Sequence, residues 1–142
     1  MNRVARCCCG QLRAEASAEP VRVVVCHCSE CKRRTGSAYG VSAYFQRDRV
    51  KVDGPNSTFV RRCPEGRIIE FRFCPACGST VYWRADLLPD LIGVAVGLFD
   101  DPTFPEPTNS IFERNRFPWV AFECPINRFD DPISAGPPRP SC

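Results

Sequence analysis

The sequence lacks any long hydrophobic segment. Charged residues or prolines interrupt every apolar run well short of the roughly 18 residues that a membrane-spanning helix requires. The first six residues carry positive charge, but no apolar segment follows them, so we expect no signal peptide. These two absences predict a cytoplasmic protein that has no membrane partner.

Internal repeats, coiled-coil heptads and a linker are also missing. The chain has 142 residues, of which 44% are hydrophobic and 25% charged, and these values are typical of one globular domain. We therefore predict a single domain over residues 1–142, with a core over about residues 4–129. Residues 130–142 are rich in proline and are expected to be irregular. Nothing in the pattern predicts a particular oligomeric state.

A basic tail or stripe of the kind that binds nucleic acid is absent. The net charge is +3, but seven cysteine thiolates holding two Zn²⁺ ions would bring the total to zero. Basic residues cluster only in a short run at residues 32–34 and in the Arg61/Arg62 pair. We therefore expect no nucleic-acid partner.

Long helices are not expected, because 14 prolines and nine glycines are spread along the chain. Short segments with alternating or β-branched apolar residues instead predict a mainly β fold; they are residues 12–16, 21–25, 37–45, 58–62, 67–73, 80–83 and 91–98. One helical turn is predicted over residues 32–36, ended by Gly36.

In contrast to these absences, the sequence is rich in cysteine. The chain has eleven, an odd number, and several of them are closely spaced. Without an export signal, such spacing favours metal ligation over disulfide bonds.

Three of the thiols lie within six residues, at Cys26, Cys28 and Cys31. In an extended segment Cys26 and Cys28 point to one side and His27 to the other, so a direct ligand role for this single histidine is not expected. A tight turn after Cys28 can bring Cys31 to the same point. The motif thus predicts three ligands for a metal that prefers sulfur, such as Zn²⁺.

A second motif, C-P-x-C-G, places Cys74 and Cys77 on a zinc knuckle, in which a turn aims both sulfurs at one point. Cys7 and Cys9 are the natural source of two further ligands. Together the four would form a closed site, which leaves Cys26, Cys28 and Cys31 as a separate set. The alternative is that Cys7 and Cys9 are two reduced cysteines on a hairpin.

The whole pattern resembles a known family. C-x-C-G near the start, C-H-C-S-x-C-x-R-x-T-G-S in the first third, F-C-P-x-C-G-S in the middle and the segment at residues 96–102 occur in that order. Together they resemble the glutathione-dependent formaldehyde-activating (GFA) family, which is related to centromere protein V. The resemblance extends over about residues 4–129.

The resemblance implies a mainly β fold, called the β-tent, built from small antiparallel sheets and holding two zinc ions. By the family's motifs, Cys7, Cys9, Cys74 and Cys77 would hold a structural zinc, and Cys26, Cys28 and Cys31 a catalytic zinc. The family enzyme condenses formaldehyde with glutathione to give S-(hydroxymethyl)glutathione. The chain is therefore expected to be a zinc-dependent carbon–sulfur lyase whose partners are a small thiol and a small aldehyde.

The ligand chemistry agrees with this expectation. Three thiolates and one Zn²⁺ carry a net charge of about −1, so the site is a poor Lewis acid that still accepts a soft fourth ligand, such as a substrate thiol. Glutathione has two carboxylates, and the residues that follow the third ligand are candidates to bind it; they are Lys32, Arg33, Arg34 and Thr35. The alternative is that these residues offset thiolate charge or are solvated.

Two other functions fit the same cysteines. The chain could be a non-catalytic binding module stabilised by zinc, or a thiol redox sensor that loses its metal on oxidation. Cys63 decides between an open and a closed site, because a contact with the three-cysteine metal would complete its ligand set. For Cys8, Cys63, Cys124 and Cys142 the default expectation is a small buried hydrophobic residue.

Overall fold

Short strands separated by turns make up most of the fold, as the alternating pattern predicts. The computed structural model describes residues 2–64 and 66–131, so most of the predicted irregular tail lies outside the described residues. The strands are β1 (Arg3–Arg6), β2 (Arg13–Ala16), β3 (Arg22–Cys26), β4 (Gly40–Gln46), β5 (Val50–Asp53), β6 (Ser57–Arg62), β7 (Ile68–Phe73), β8 (Thr80–Ala85), β9 (Leu91–Ala95), β10 (Asn109–Ile111) and β11 (Asn127–Arg128).

The helical content of the described residues is small. It consists of one α-helix, α1 (Ser29–Thr35), and of three 3-10 turns at Arg47–Arg49, Val96–Phe99 and Glu113–Asn115. The mainly β class predicted from the sequence is therefore confirmed. No helix within the described residues is long and apolar enough to cross a membrane.

The strands form two sheets. The smaller is antiparallel, in the order β1-β2-β5, and the larger has the order β11-β10-β3-β4-β9-β8-β7-β6. The larger sheet is antiparallel except at one edge, where β10 pairs in parallel with both β3 and β11. This parallel edge places residues 109–111 beside the strand that ends at Cys26.

The larger sheet has a separate core on each face. On one face Val23 and Phe45 pack with Leu12, which immediately precedes β2, in a core that also contains Cys7 and Cys74. On the other face Val24, Tyr44 and Ile111 pack with Cys26, Cys28 and Cys31. Because side chains alternate along a strand, neighbouring residues of β3 serve the two cores.

Three boundaries differ by three residues from the sequence prediction, and the other predicted boundaries by at most two. The helix begins at Ser29, three residues before the predicted turn, because the Cys28 sulfur caps its first turn. The helix ends where predicted, with Gly36 in the left-handed conformation at φ 64°. Strand β4 begins only at Gly40, and β9 ends at Ala95, where the chain turns into a 3-10 segment.

Candidate metal centres

The three-cysteine cluster is formed by the junction of a strand and a helix. Strand β3 delivers Cys26, and Cys28 then caps α1 by accepting a hydrogen bond from the Cys31 backbone N–H at 3.3 Å. The sulfurs of all three residues lie within 4.8 Å of one another and are buried. Within residues 2–64 and 66–131 no fourth cysteine, histidine or carboxylate belongs to this cluster.

Cys28 is the most acidic of these three thiols. Hydrogen bonds from the thiols of Cys26 and Cys31, then the backbone N–H of Cys31 and the charge of Arg61, lower the pKa of Cys28 to about 2, although burial opposes them. The same contacts with Cys28 and Cys31, together with burial, raise the pKa of Cys26 well above its usual value. The cluster thus favours one thiolate that its two neighbours hydrogen-bond.

His27 faces away from the cluster, as the alternation predicts. It is fully buried, and its ring packs against Tyr39 and Phe122 with centroids 5.7 and 6.0 Å away. Its Nε2 lies 3.0 Å from the hydroxyl oxygen of Ser110, which donates to Glu113 at 2.6 Å. Burial lowers the pKa of His27, which favours the neutral ring.

Glu113 anchors this polar chain. Burial raises its pKa, but hydrogen bonds from Ser110 and Arg116 and the charge of Arg128 lower it more, so that the pKa is lowered on balance. Arg116 Nε and Arg128 Nη1 each lie 2.9 Å from its carboxylate oxygens. Sequence reasoning missed Ser110 and Glu113, since only the parallel pairing of β10 with β3 brings them to His27.

The four-cysteine cluster joins the N-terminal segment to the knuckle. Its sulfurs lie within 4.8 Å of one another, with Cys7 Sγ 3.5 Å from Cys9 Sγ and Cys9 Sγ 3.6 Å from Cys74 Sγ. A tetrahedral Zn²⁺ with Zn–S bonds of about 2.3 Å requires sulfurs about 3.8 Å apart, so these residues fit the ion. A register shift between Arg72 and Phe73 leads β7 into the knuckle.

Hydrogen-bond donors surround the sulfurs of this cluster. The Leu12 N–H lies 3.2 Å from Cys7 Sγ and, together with Cys9, lowers the pKa of Cys7 despite its burial. Hydrogen bonds from the Ser79 hydroxyl and backbone lower the pKa of Cys77 to about 5. Ser79 also accepts a hydrogen bond from the Cys8 N–H at 3.2 Å, so it links the two cysteine pairs.

Both donor sets suit a thiophilic metal. Each cluster contains only sulfur ligands, and each already favours at least one thiolate, the form in which cysteine binds a metal. Cys7, Cys9, Cys74 and Cys77 can supply all four ligands of a tetrahedral ion, whereas Cys26, Cys28 and Cys31 can supply three. The two clusters could therefore hold metal ions, and zinc fits them.

Of the predicted substrate-binding residues, Arg33 and Arg34 line one cavity and Arg34 and Thr35 line a second, whereas Lys32 lines neither. The Nζ of Lys32 donates to the Asn115 carbonyl at 2.5 Å and lies 4.0 Å from the centroid of the Phe117 ring. Arg33 is exposed and pairs with Glu30 at 3.4 Å. Thr35 donates its hydroxyl hydrogen to the Cys31 carbonyl at 2.8 Å, within the helix.

Arg34 alone of the four turns towards the interior of the larger sheet. Its guanidinium carbon lies 4.6 Å from the centroid of the Trp83 ring and 5.6 Å from that of Phe71. The Arg34 side chain lines two neighbouring cavities of about 480 and 370 Å³. The larger cavity also touches the knuckle at Cys77 and Gly78, and the smaller contains Arg61.

Three of the cysteines outside the motifs differ from the default expectation. Cys63 is buried, as expected, and is not a member of either cluster, but it is disulfide-bonded rather than a free thiol. Cys8, by contrast, is exposed, and Cys124 is half-buried. Cys142 lies outside the described residues.

Comparisons with known proteins agree with these motifs. A family model described as "Glutathione-dependent formaldehyde-activating enzyme" matches residues 2–115. No curated protein matches the chain significantly. A crystal structure of a Rhodobacter sphaeroides protein from structural genomics is similar, with 22% sequence identity and a TM-score of 0.51, over 67% of this chain and 85% of that one. At this identity the likeness concerns the fold alone.

Proposed function

This chain belongs to the glutathione-dependent formaldehyde-activating family, and we propose that its three-cysteine cluster joins glutathione to formaldehyde or a related small aldehyde. In this reaction the thiol sulfur attacks the carbonyl carbon, a carbon–sulfur bond forms, and the thiol proton ends on the oxygen. The product is an S-hydroxymethyl thiol, and the reverse reaction breaks the same bond. The enzyme would thus be a carbon–sulfur lyase.

One observation carries the proposal: Cys26, Cys28 and Cys31 form a buried cluster of three sulfurs, apart from the four-sulfur cluster. Zinc held there would favour the deprotonated, nucleophilic form of a substrate thiol. The three sulfurs would hold the ion, and their burial limits the access of water to the reacting groups. The four-cysteine cluster would hold a second, structural zinc.

The chain's own cations balance the charge of the cluster. Three thiolates and one Zn²⁺ leave a net charge of about −1, which would disfavour a further thiolate. The positive charge of Arg61 acts on Cys28, and that of Arg34 acts on Cys31. These two arginines reduce the cost of bringing a substrate thiolate to the site.

The sequence-based proposal for substrate contacts names Lys32, Arg33, Arg34 and Thr35. Arg34 is the best placed of them, because it lines both cavities and approaches Cys31. Lys32 and Thr35 already bond to backbone carbonyls, and Arg33 lies at the surface. We therefore assign the main contact to Arg34 and only peripheral contacts to the other three.

The reaction can be tested by exchange spectroscopy. Glutathione, formaldehyde and their adduct interconvert without a catalyst, so the zinc-loaded protein should raise the interconversion rate measured by NMR. The Cys31→Ser variant should lose this increase, whereas Cys124→Ser, which changes a cysteine outside both clusters, should retain it. A protein that binds both zinc ions but leaves the rate unchanged would contradict the proposal and favour the non-catalytic binding module.

A further inference from the structure

The smaller cavity, of about 370 Å³, is lined by aromatic rings, by one carboxylate, Glu30, and by three arginines, of which Arg33 pairs with Glu30 while Arg34 and Arg61 lie over the rings. The guanidinium carbon of Arg61 lies 4.9 Å from the centroid of the Phe71 ring, and that of Arg34 lies over both Phe71 and Trp83. The Phe71 and Trp83 rings are themselves in contact, with centroids 5.7 Å apart. Aromatic faces hold guanidinium planes without neutralising them, so the positive charge remains available.

Both guanidinium groups have unused hydrogen-bonding capacity. Their Nε atoms are buried and have no hydrogen-bond partner among the described residues. Arg61 is only 9% exposed and Arg34 is half-buried, and no carboxylate of the described residues forms an ion pair with either. A buried guanidinium beside a half-buried one, each with an unpaired Nε donor, is costly, and an anion that accepts hydrogen bonds from both would offset that cost.

Two glycines make this arrangement possible. A Cβ on Gly40 would lie 3.1 Å from Arg34 Nη2 and 3.3 Å from Cys31 Cβ, so the absence of a side chain at Gly40 leaves room for the guanidinium on the side of α1 that carries Cys31. A Cβ on Gly93 would lie 2.2 Å from Trp83 Nε1, so only glycine lets this ring lie flat across strand β9. Arg34, which lines the cavity, thus also approaches the three-cysteine cluster, although the cluster cysteines themselves are not part of the cavity lining.

We propose that Arg34 and Arg61 form a carboxylate-binding subsite, which selects thiols that carry a carboxylate and directs their sulfur to the three-cysteine cluster. The subsite rests on the proposed function, because it presumes that a thiol binds there. Carboxylates pair with guanidinium groups through two parallel hydrogen bonds, and Arg34 and Arg61 supply two such groups. Neutral and cationic thiols would leave the arginines unpaired and would bind less tightly.

Calorimetric titration of the zinc-loaded protein tests the subsite with two thiols of equal length, 3-mercaptopropionate and 3-mercaptopropanol. The wild-type protein should bind the carboxylate at least about tenfold more tightly, the usual effect of a hydrogen bond to a charged group. Arg61→Met should abolish this preference. Arg61→Lys should retain part of it, because lysine keeps the charge but lacks the planar fork.

Arg62→Met is the matched control, because Arg62 is the next residue of β6 and is exposed. It should leave the preference intact. Equal affinity of the wild-type protein for both thiols would overturn the subsite while leaving the proposed function standing, as would an equal loss in Arg62→Met and Arg61→Met. Binding of neither thiol would overturn both. The wild-type comparison alone is decisive if a variant fails to fold.

Discussion

The two cysteine clusters differ in how far apart their members lie along the chain. Cys9 and Cys74 are 65 residues apart, so the four-cysteine cluster ties the N-terminal strands to the middle of the larger sheet. The three-cysteine cluster is contained within Cys26 to Cys31 and needs only one strand and one helix turn. We therefore expect a metal in the first cluster to restrain the fold, and a metal in the second to be held by a strand and a helix that form without it.

The two clusters also differ in the groups that surround their sulfurs. Around the four-cysteine cluster, a backbone N–H and the Ser79 hydroxyl contact the sulfurs, and two of the thiols, Cys9 and Cys77, are exposed. The three-cysteine cluster also receives a backbone N–H, from Cys31, but it is fully buried, and the charges of Arg34 and Arg61 act on its thiols. The difference therefore lies in exposure and charge, and a buried cluster near cations suits an anionic ligand that arrives from outside.

The largest contrast is expected between Cys74→Ser and Cys31→Ser. Loss of a ligand from the long-range cluster should prevent cooperative folding, since structural zinc contributes about 10 kcal/mol or more in small zinc domains. Cys31→Ser should lose one metal but keep a cooperative thermal transition. Zinc analysis combined with calorimetric unfolding measures both effects. Equal destabilisation by the two substitutions would remove the distinction between a structural and a catalytic cluster.

The membership of both clusters could be predicted from the sequence, because the C-x-C and C-x-x-C spacings constrain their sulfurs locally. Arg61, Phe71 and Trp83 could not be assigned to the site in this way. They lie on β6, β7 and β8, and only the pairing of these strands brings them beside α1. The parallel edge strand that carries Ser110 was missed for the same reason, since three residues give too short a pattern to recognise.

Ser79→Ala should weaken zinc binding at the four-cysteine cluster alone, which is a smaller effect than the loss of a ligand. Removal of the hydroxyl raises the pKa of Cys77 and breaks the link to the Cys8 N–H, so the four-cysteine cluster should bind zinc about tenfold more weakly. Competition with a coloured chelator measures the affinity. Ser17→Ala, which removes a surface hydroxyl that donates to the Arg49 carbonyl, is the control. If Ser79→Ala also weakened the binding of an external thiol at the three-cysteine cluster, the two clusters would not be independent.

Arg128→Met should have the smallest effect, a loss of folding stability near the three-cysteine cluster. Arg128 favours the ionised form of Glu113, whose folded-state pKa is lowered, so its contribution to stability is present above the ordinary glutamate pKa. We expect a loss of up to about 1 kcal/mol at neutral pH, which disappears as the pH falls through the folded pKa of Glu113. Denaturant unfolding at several pH values measures it.

Arg114→Met serves as the control. Arg114 follows Glu113 on the 3-10 turn at Glu113–Asn115, is exposed, and has no ion pair among the described residues. Its stability should match that of the wild-type protein at each pH. A loss in Arg128→Met that persists unchanged into acid would show that Arg128 stabilises the fold by packing rather than by charge.

Cobalt substitution with glutathione titration tests most directly whether the three-cysteine cluster accepts an external thiol. Glutathione should shift the Co²⁺ ligand-field bands of the wild-type protein, because its sulfur becomes a fourth ligand at Cys26, Cys28 and Cys31. The shift should vanish in Cys31→Ser, while the bands of the four-cysteine cluster remain. Bands that no small thiol perturbs in the fully loaded protein would contradict the account.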